Sequence, residues 1–414
     1  MQNRKIAVIG AGPAGLMAAI RAGQLNQEVT LFERNTQPGK KLLLSGKGRC
    51  NITNALSLED FLKHFSNNGN FLRDAFKKFF NTSLITFFEE RGLKMKVERQ
   101  MRVFPVTDSS GSILAILKKE LSKRKVKVIY KAVVKDIIIE DKAVKGVIFG
   151  ASKREFFDSV IMATGGASYP FTGSDGSGIN ILKNKGHRII PLKPGLVGLK
   201  VKEDYLKSLE GLTLKNIRLK FSCDKKEVIS DIGEMLFTKD GISGPLVLSL
   251  SARLVDWLSE GKKVYLAINL KPGLTLEKID IRLLREFKSA PKKNIANIMK
   301  NLLPAKLAEL LAVASGVTPI KKANQITSAE RNALVSFLHS WHLTIIGSGN
   351  IEEGMVTRGG VSLKEINPRT MESKLINGLY LCGEMIDIDA DTGGFNLQAA
   401  FSTGYLAGES AAVN

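Results

Sequence analysis

The chain has 414 residues, 44% hydrophobic and 24% charged, proportions that exclude wholesale disorder and suit two or three globular domains. No apolar run approaches the roughly 18 residues a membrane span requires, so no membrane association is expected. The 61 Lys and Arg against 40 Asp and Glu leave a formal charge of +21. That excess raises affinity for polyanions such as RNA, yet suits a basic, non-binding surface equally well.

The first predicted unit runs from Lys5 to Arg34. An apolar strand at 5–9 leads into Gly10-Ala11-Gly12-Pro13-Ala14-Gly15, then an Ala-rich helix to about Gly23, then a strand at 29–32 that ends at Glu33. Strand, glycine-rich turn, helix and strand in this order form a βαβ dinucleotide-binding unit. Gly10 allows the tight turn, Gly12 lets backbone approach a pyrophosphate, and Gly15 lets the helix pack on the strand. The helix N-terminus offers free N–H groups to a phosphate. Glu33, 18 residues after Gly15, is placed to accept hydrogen bonds from ribose hydroxyls and to repel a 2′-phosphate. Asn26 stands where such units often carry a turn glycine, and Asn tolerates the left-handed conformation.

Residues 57–125 read mostly as helices, with Phe61, Phe65, Phe71, Phe76, Phe79, Phe80, Phe87 and Phe88 as core rather than a base-stacking platform. From 126 to 163 short β-rich runs suggest a meander that feeds back into the main sheet. Pro191 and Pro194 suggest a boundary. Beyond them the pattern is strands over 195–270 and helices over 277–340, and residues 191–345 carry 25 Lys and Arg against 15 Asp and Glu. After Ile345 the dinucleotide-type pattern returns: GLYLCGE is a strand closed by Gly383-Glu384, and GGFNLQAAFSTGYLAGESAA an Ala-rich helix opened by two glycines. The expected organisation is therefore a discontinuous domain, 1–190 and 346–414, interrupted by an insert at 191–345.

Four segments narrow "dinucleotide" to FAD. Thr164-Gly165-Gly166 follows a strand, as in flavoproteins of the glutathione-reductase type. Glu384 follows a strand and a glycine, a common place for a carboxylate that contacts the ribityl or pyrophosphate portion. The helix begun by GGFNLQAA would aim its N-terminal N–H groups at the flavin's pyrimidine oxygens. GKKLLLSGKGRCNITN is too glycine-rich for a stable helix and too polar for core, so it reads as a ligand-cradling loop. No second glycine fingerprint for a nicotinamide cofactor is visible.

With GKKLLLSGKGRCNITN, the segments ATGGASYPFTGSDGSG, GEMLFTKDGISGP and MESKLINGLYLCGEMIDIDADTGGFNLQAA resemble the motifs of the BaiN/RdsA-like flavoproteins, nearly end to end. The resemblance implies an α/β fold: a discontinuous, Rossmann-like FAD-binding domain of the glutathione-reductase type with an inserted mixed β/α domain. It implies FAD as cofactor, with NAD(P)H as a transient electron donor. The FAD set it implies is Gly10, Gly12, Ala14, Gly15, Glu33, Arg34, Lys41, Ser45, Gly46, Gly48, Arg49, Cys50, Asn51, Val133, Thr164, Gly165, Gly383, Glu384, Gly394, Asn396, Leu397 and Gln398. Departures are Arg358, where a small residue is expected, and Phe395, where Tyr is common. Members are associated with reducing steroid-type substrates, oxidising a small amino ketone, and reducing a uridine of 23S ribosomal RNA. Ribosomal RNA and a small molecule are thus both expected partners. Fold and cofactor alone do not separate them; a uridine of 23S ribosomal RNA is the preferred expectation, with a small-molecule flavin oxidase or reductase and a non-catalytic flavin-bound RNA-binding protein as the alternatives.

Cys50, between Arg49 and Asn51 in the glycine-rich loop, is the catalytic candidate. A thiol whose pKa a neighbouring Arg holds down can protonate a carbon while hydride arrives from the flavin. The plainer reading is a buried, inert thiol packed under the cofactor. Cys223 and Cys382 read as structural, and three widely spaced cysteines suit neither disulfides nor a C-x-x-C metal site. His64, His187, His339 and His342 show no metal spacing, so no metal is expected. Asp387, Asp389 and Asp391 lack the setting of a calcium loop and read as a turn near the flavin. Lys292, Lys293, Lys300, Lys306, Lys321 and Lys322, with Arg282 and Arg285, form either a solvated helical face or an RNA-backbone contact. The opening MQNRKIAVIGAG enters a strand at once, which leaves no room for a signal peptide and suggests a cytoplasmic protein.

Overall fold

The computed structural model describes residues 3–66 and 68–413. It divides into two compact units, Met1–Gly195 with Ile351–Asn414, and Leu196–Asn350.

The first unit is built on β1 (Lys5–Ile9), α1 (Pro13–Gln24), β2 (Glu28–Phe32), α2 (Ser110–Lys123), β3 (Lys127–Ile129), β4 (Ser159–Met162), β5 (Leu379–Leu381) and α3 (Phe395–Val413). The five strands form one parallel sheet in the order β5-β4-β1-β2-β3. Ile6, Ala7, Val8, Val160, Ile161 and Met162 are fully buried, as central strands covered on both faces must be. The chain leaves β1 toward β2 on one side and reaches β4 on the other, so the carboxyl ends of β1 and β4 flank a topological switch point. Open α/β sheets bind ligands at such a crevice.

Small residues set how closely the two long helices approach. A Cβ added at Gly404 would stand 2.1 Å from the Ala14 carbonyl oxygen, and one at Gly408 would stand 2.3 Å from that of Ala18. The alanines and glycines of α1 and α3 therefore serve helix–helix contact, which brings the start of the chain against its end. Between β3 and β4 the predicted meander is a three-stranded antiparallel sheet, Val134–Glu140, Ala143–Phe149 and Lys153–Phe156. The phenylalanines of 61–88 are core as expected: Phe61, Phe65, Phe76, Phe79, Phe87 and Phe88 are buried, and Phe61 makes edge contacts with Phe76, Phe80 and Phe395. The same region also holds strands that helical periodicity concealed, Thr53–Asn54, Met95–Val97 and Arg102–Pro105.

Pro191 and Pro194 sit inside a strand, Ile189–Gly195, that pairs antiparallel with Val356–Val361 and shifts register between Ile190 and Lys193. A two-stranded ribbon with a bulge tolerates residues that lack an N–H. The chain passes to the second unit one residue past that strand, at Leu196.

The second unit closes a sheet on itself. Strands Thr213–Cys223, Gly233–Thr238, Gly241–Ser243, Leu199–Val201, Trp341–Ser348 and Val264–Asn269 pair in that order, and the last pairs back with the first. All these pairings are antiparallel, so the strands form a small barrel whose core includes Leu219, Phe221, Phe237, Leu266 and Trp341. Closure removes exposed edges. Two sequence expectations change here. Pro245–Ser259, inside the predicted strand region, is a helix opened by its proline. Trp341–Ser348, beyond the predicted helices, is a barrel strand. Helices Leu276–Ser289, Ile295–Met299, Ala305–Ala314 and Ser328–His339 follow the predicted helical stretch. No helix among the described residues is long and apolar enough to cross a membrane.

Candidate functional site

The site of the first unit begins at the switch point. Gly10 donates its N–H to Phe32 O and Ala163 donates to Ile9 O, so the glycine turn and the segment after β4 leave the sheet side by side. Gly10 has φ +97°, and an added Cβ would meet Ala163 O at 2.6 Å; one at Gly15 would meet Gly10 O at 1.9 Å. Both glycines are required by the fold itself. Gly12 differs: no atom lies within 4 Å of the place its Cβ would take. It is the N-cap of α1, Pro13 follows at the first helical position, and no side chain caps the end. Uncapped N–H groups beside open space are what a pyrophosphate needs.

Glu33 ends β2 and is buried, accepting from Ala11 N at 2.9 Å and from Asn35 N and Nδ2 at 2.8 and 2.7 Å. These bonds fix its carboxylate beside the turn. Arg34 turns away, pairing with Asp175 at 2.6 Å and donating to Gly173 O. Val133 is half-exposed beyond the strand of Glu33.

Next to this end lies a polar cluster drawn from four segments. Lys41 Nζ contacts Glu384 Oε2 at 2.6 Å and Ser168 Oγ at 2.6 Å, and Glu384 Oε1 accepts from Thr357 N at 2.7 Å and Ser168 Oγ at 3.1 Å. Two expected residues, Lys41 and Glu384, thus meet across 343 positions of sequence. Ser168, inside the segment ATGGASYPFTGSDGSG but outside the expected cofactor set, and Thr357 complete the cluster. Gly383 is held in the left-handed region, where an added Cβ would meet Ala14 Cβ at 2.8 Å.

The glycine-rich loop forms the far end. Gly46, Lys47, Gly48 and Cys50 all have positive φ. This coiled backbone explains the loop's composition and is stored strain of the kind found at ligand clamps. Ser45 Oγ donates to Leu42 O. The strand after the loop abuts the start of α3: an added Cβ at Gly394 would meet Thr53 O at 2.4 Å, and Asn54 Nδ2 donates to Gly393 O.

The structure reverses one expectation at this loop. Arg49 does not lower the Cys50 pKa, because its guanidinium is engaged by Glu98 and Asp108 and stacked over Phe104. Cys50 is 0% exposed, and burial pushes its thiol up to about 12. The thiol keeps its proton but lies inside the packing. The Asn396 amide and the Gln398 Nε2 group are engaged within the fold, while Gln398 Oε1 is buried without a hydrogen-bond partner. The Asn396 amide clamps the preceding loop through Ala390 N and O, and Gln398 Nε2 donates to Ser402 Oγ and Phe79 O. Asn396 and Leu397 offer a ligand the backbone of a helix start, whereas Gln398 N already donates to Gly394 O.

Four buried polar atoms along this path have no partner among the described residues: Thr164 Oγ1, Ser174 Oγ, Asn51 Oδ1 and Gln398 Oε1. Orphaned buried groups cost of the order of 1–3 kcal/mol each, so they mark places for a bound molecule's polar atoms. With the open cradle at Gly12, these residues fit an extended dinucleotide. No group of three or more His, Cys, Asp or Glu suited to a metal ion occurs among the described residues.

A parallel sheet with a glycine turn, a buried carboxylate at the end of its second strand and a second helix beside the first defines a Rossmann-type dinucleotide-binding protein. The HI0933-like protein Rossmann domain family matches residues 4–410, and the chain belongs to that family. It is 31% identical over 411 residues to a 3-dehydro-bile acid delta(4,6)-reductase of Clostridium scindens, covering 99% of each chain. It is 32% identical over 403 residues to a ribosomal RNA dihydrouridine synthase of Haemophilus influenzae, covering 96% of each. Among solved structures, a 3-ketosteroid-delta4-(5alpha)-dehydrogenase of Rhodococcus jostii is similar in fold at 14% identity and TM-score 0.51, covering 100% of this chain and 98% of that one. The protein is a flavoenzyme of the oxidoreductase class, with a Rossmann-type FAD-binding domain.

Proposed function

We propose that the protein reduces a carbon–carbon double bond, and that its substrate is a uridine of ribosomal RNA, which becomes dihydrouridine. When bound, FAD supplies the hydride. The chain's own residues hold the cofactor: the N-terminus of α1 and Gly12 at the pyrophosphate, Glu33 at the ribose, Lys41 and Glu384 along the ribityl side, and the loop 45–51 with the start of α3 at the ring. The donor that recharges it is a transiently bound nicotinamide dinucleotide.

The observation that supports RNA is a basic patch. Unit 196–350 carries 24 Lys and Arg against 15 Asp and Glu. Within it, a bridge between Asn294 and Lys322, with Ala323 N donating to Lys293 O, lays 291–294 alongside 321–324. Lys292, Lys293 and Lys322 are therefore exposed on adjacent backbone, with Lys288 exposed at the end of the nearest preceding helix in sequence. Lys321 is not part of this set, because it pairs with Glu330 at 2.7 Å.

A second reading, reduction of a conjugated steroid-like enone, draws on the 31% identity to the bile-acid reductase across 99% of both chains. Incubating the FAD-loaded enzyme and NAD(P)H with unmodified ribosomal RNA, and separately with a 3-keto-4,6-diene steroid, separates the two. Dihydrouridine in digested RNA supports the first reading. Steroid turnover without dihydrouridine replaces it with the second.

A further inference from the structure

Reducing a double bond takes a proton as well as a hydride, and the buried Cys50 is poorly placed to deliver one. We propose that His64, oriented by Asp391, is the proton donor, an inference that rests on the reductase reading.

The two residues lie 327 positions apart in sequence, yet His64 Nδ1 is 3.0 Å from Asp391 Oδ2. Asp391 N also donates to His64 O at 3.0 Å, so backbone and side chain hold the pair together. The imidazole stacks on Phe395, with centroids 4.1 Å apart and planes at 17°. Phe395 is the first residue of α3 and follows Gly393-Gly394, which abut the strand leading out of the glycine-rich loop. The dyad therefore stands at the end of the crevice where the ring of the cofactor is expected. The His64 side chain is 37% exposed. With Nδ1 given to Asp391, Nε2 is the nitrogen left to act, the arrangement in which a carboxylate sets a histidine's tautomer.

The other charged groups around it are already committed. Asp60, in the short helix Leu58–Leu62, pairs with Lys63 at its C-cap, Asp389 accepts from Ser66 Oγ and lies near Arg358, and Asp387 accepts from Asn68. Arg49 is locked between Glu98 and Asp108. His64 alone of this group combines a partly open edge with a second residue that orients it.

The chemistry balances. Hydride adds to one carbon of the double bond with two electrons from the reduced cofactor, which is left oxidised. The other carbon takes a proton from Nε2, the imidazolium becomes neutral, and water reprotonates it.

The test uses His64→Gln and Asp391→Asn in the full-length, FAD-loaded protein. FAD content and RNA-binding affinity should match wild type, and the donor should reduce the flavin at the wild-type rate. Reoxidation by the double-bond substrate should slow by about 10²–10⁴-fold in H64Q, with partial recovery on adding imidazole. A readout independent of turnover is the ¹⁵N spectrum of the four histidines, in which the signal missing from H64Q should report an Nδ1–H tautomer that D391N converts. H64Q reoxidising within threefold of wild type, or a His64 tautomer indifferent to D391N, overturns this proposal alone. Wild-type protein that reduces no double-bond substrate overturns the reductase reading and this inference with it.

Discussion

At the scale of single residues, glycines of one motif do different work. Gly12 has φ −80° and open space around its missing Cβ, so Gly12→Val suits the fold but fills the space assigned to the pyrophosphate. Gly15→Val drives a side chain into the Gly10 carbonyl, 1.9 Å away. We expect Gly12→Val to keep the apo-protein's melting temperature within about 2 °C, a shift worth about 1 kcal/mol for a unit of this size, while flavin absorbance at 450 nm falls to below a tenth. Gly15→Val should lower both. Full flavin occupancy in Gly12→Val would place the dinucleotide elsewhere. Cys50 gives a second test. A thiol at about 12 is about a thousandfold less ionised at pH 8 than a free one. Native protein should therefore leave Cys50 unalkylated by iodoacetamide at pH 8, as peptide mapping reads it, while denaturation exposes all three cysteines. Rapid native labelling would restore the Arg-activated thiol. A buried, inert thiol was the plainer reading of the sequence; what spacing could not show is that Arg49 is held by Glu98 and Asp108, partners 49 and 59 positions away.

Among elements, the βαβ start was legible because short apolar strand runs, glycine spacing and the terminal carboxylate coincide within one short stretch. The barrel was less so. Alternation announces strands but carries no sign of closure, and Pro245, read as part of a strand region, instead opens a helix whose apolar faces bury Leu246, Val247, Leu254 and Trp257. The dyad of His64 and Asp391 and the pairing of Lys41 with Glu384 were hidden for another reason: each joins residues more than 300 positions apart, where spacing holds no signal. The helix Ser328–His339 offers a test of local energetics. Glu330 closes a capping box with Thr327 and accepts from Lys321, and these hydrogen bonds bring its carboxyl down to about 2. A depressed folded-state pKa means stability that is fully present above the unfolded value of about 4.5 and lost as pH falls toward 2. Glu330→Gln should therefore lower the urea midpoint at pH 7, and the gap to wild type should close between pH 4.5 and 2. A gap independent of pH would show that the carboxylate's charge is not what stabilises this helix.

For the molecule as a whole, the first unit carries a cofactor crevice and the second a basic surface that no flavin motif explains. If Lys288, Lys292, Lys293 and Lys322 contact phosphates, binding releases counterions, and log affinity should fall with log salt by about 0.7 per single-strand phosphate contacted. Reversing the four to Glu should weaken RNA binding and flatten that slope while FAD content stays unchanged. RNA affinity that ignores both salt and the reversals would leave the charge as surface and favour the small-molecule substrate. The central claim, a hydride delivered to a uracil of ribosomal RNA, is tested most directly by mass spectrometry of nucleosides from unmodified ribosomal RNA after incubation with the FAD-loaded enzyme and NAD(P)H. The account predicts a gain of two hydrogens on uridine at a defined position, absent without reductant and absent with Gly12→Val. Ribosomal RNA that gains no dihydrouridine, with an enzyme that is fully loaded and reduced by its donor, would contradict it.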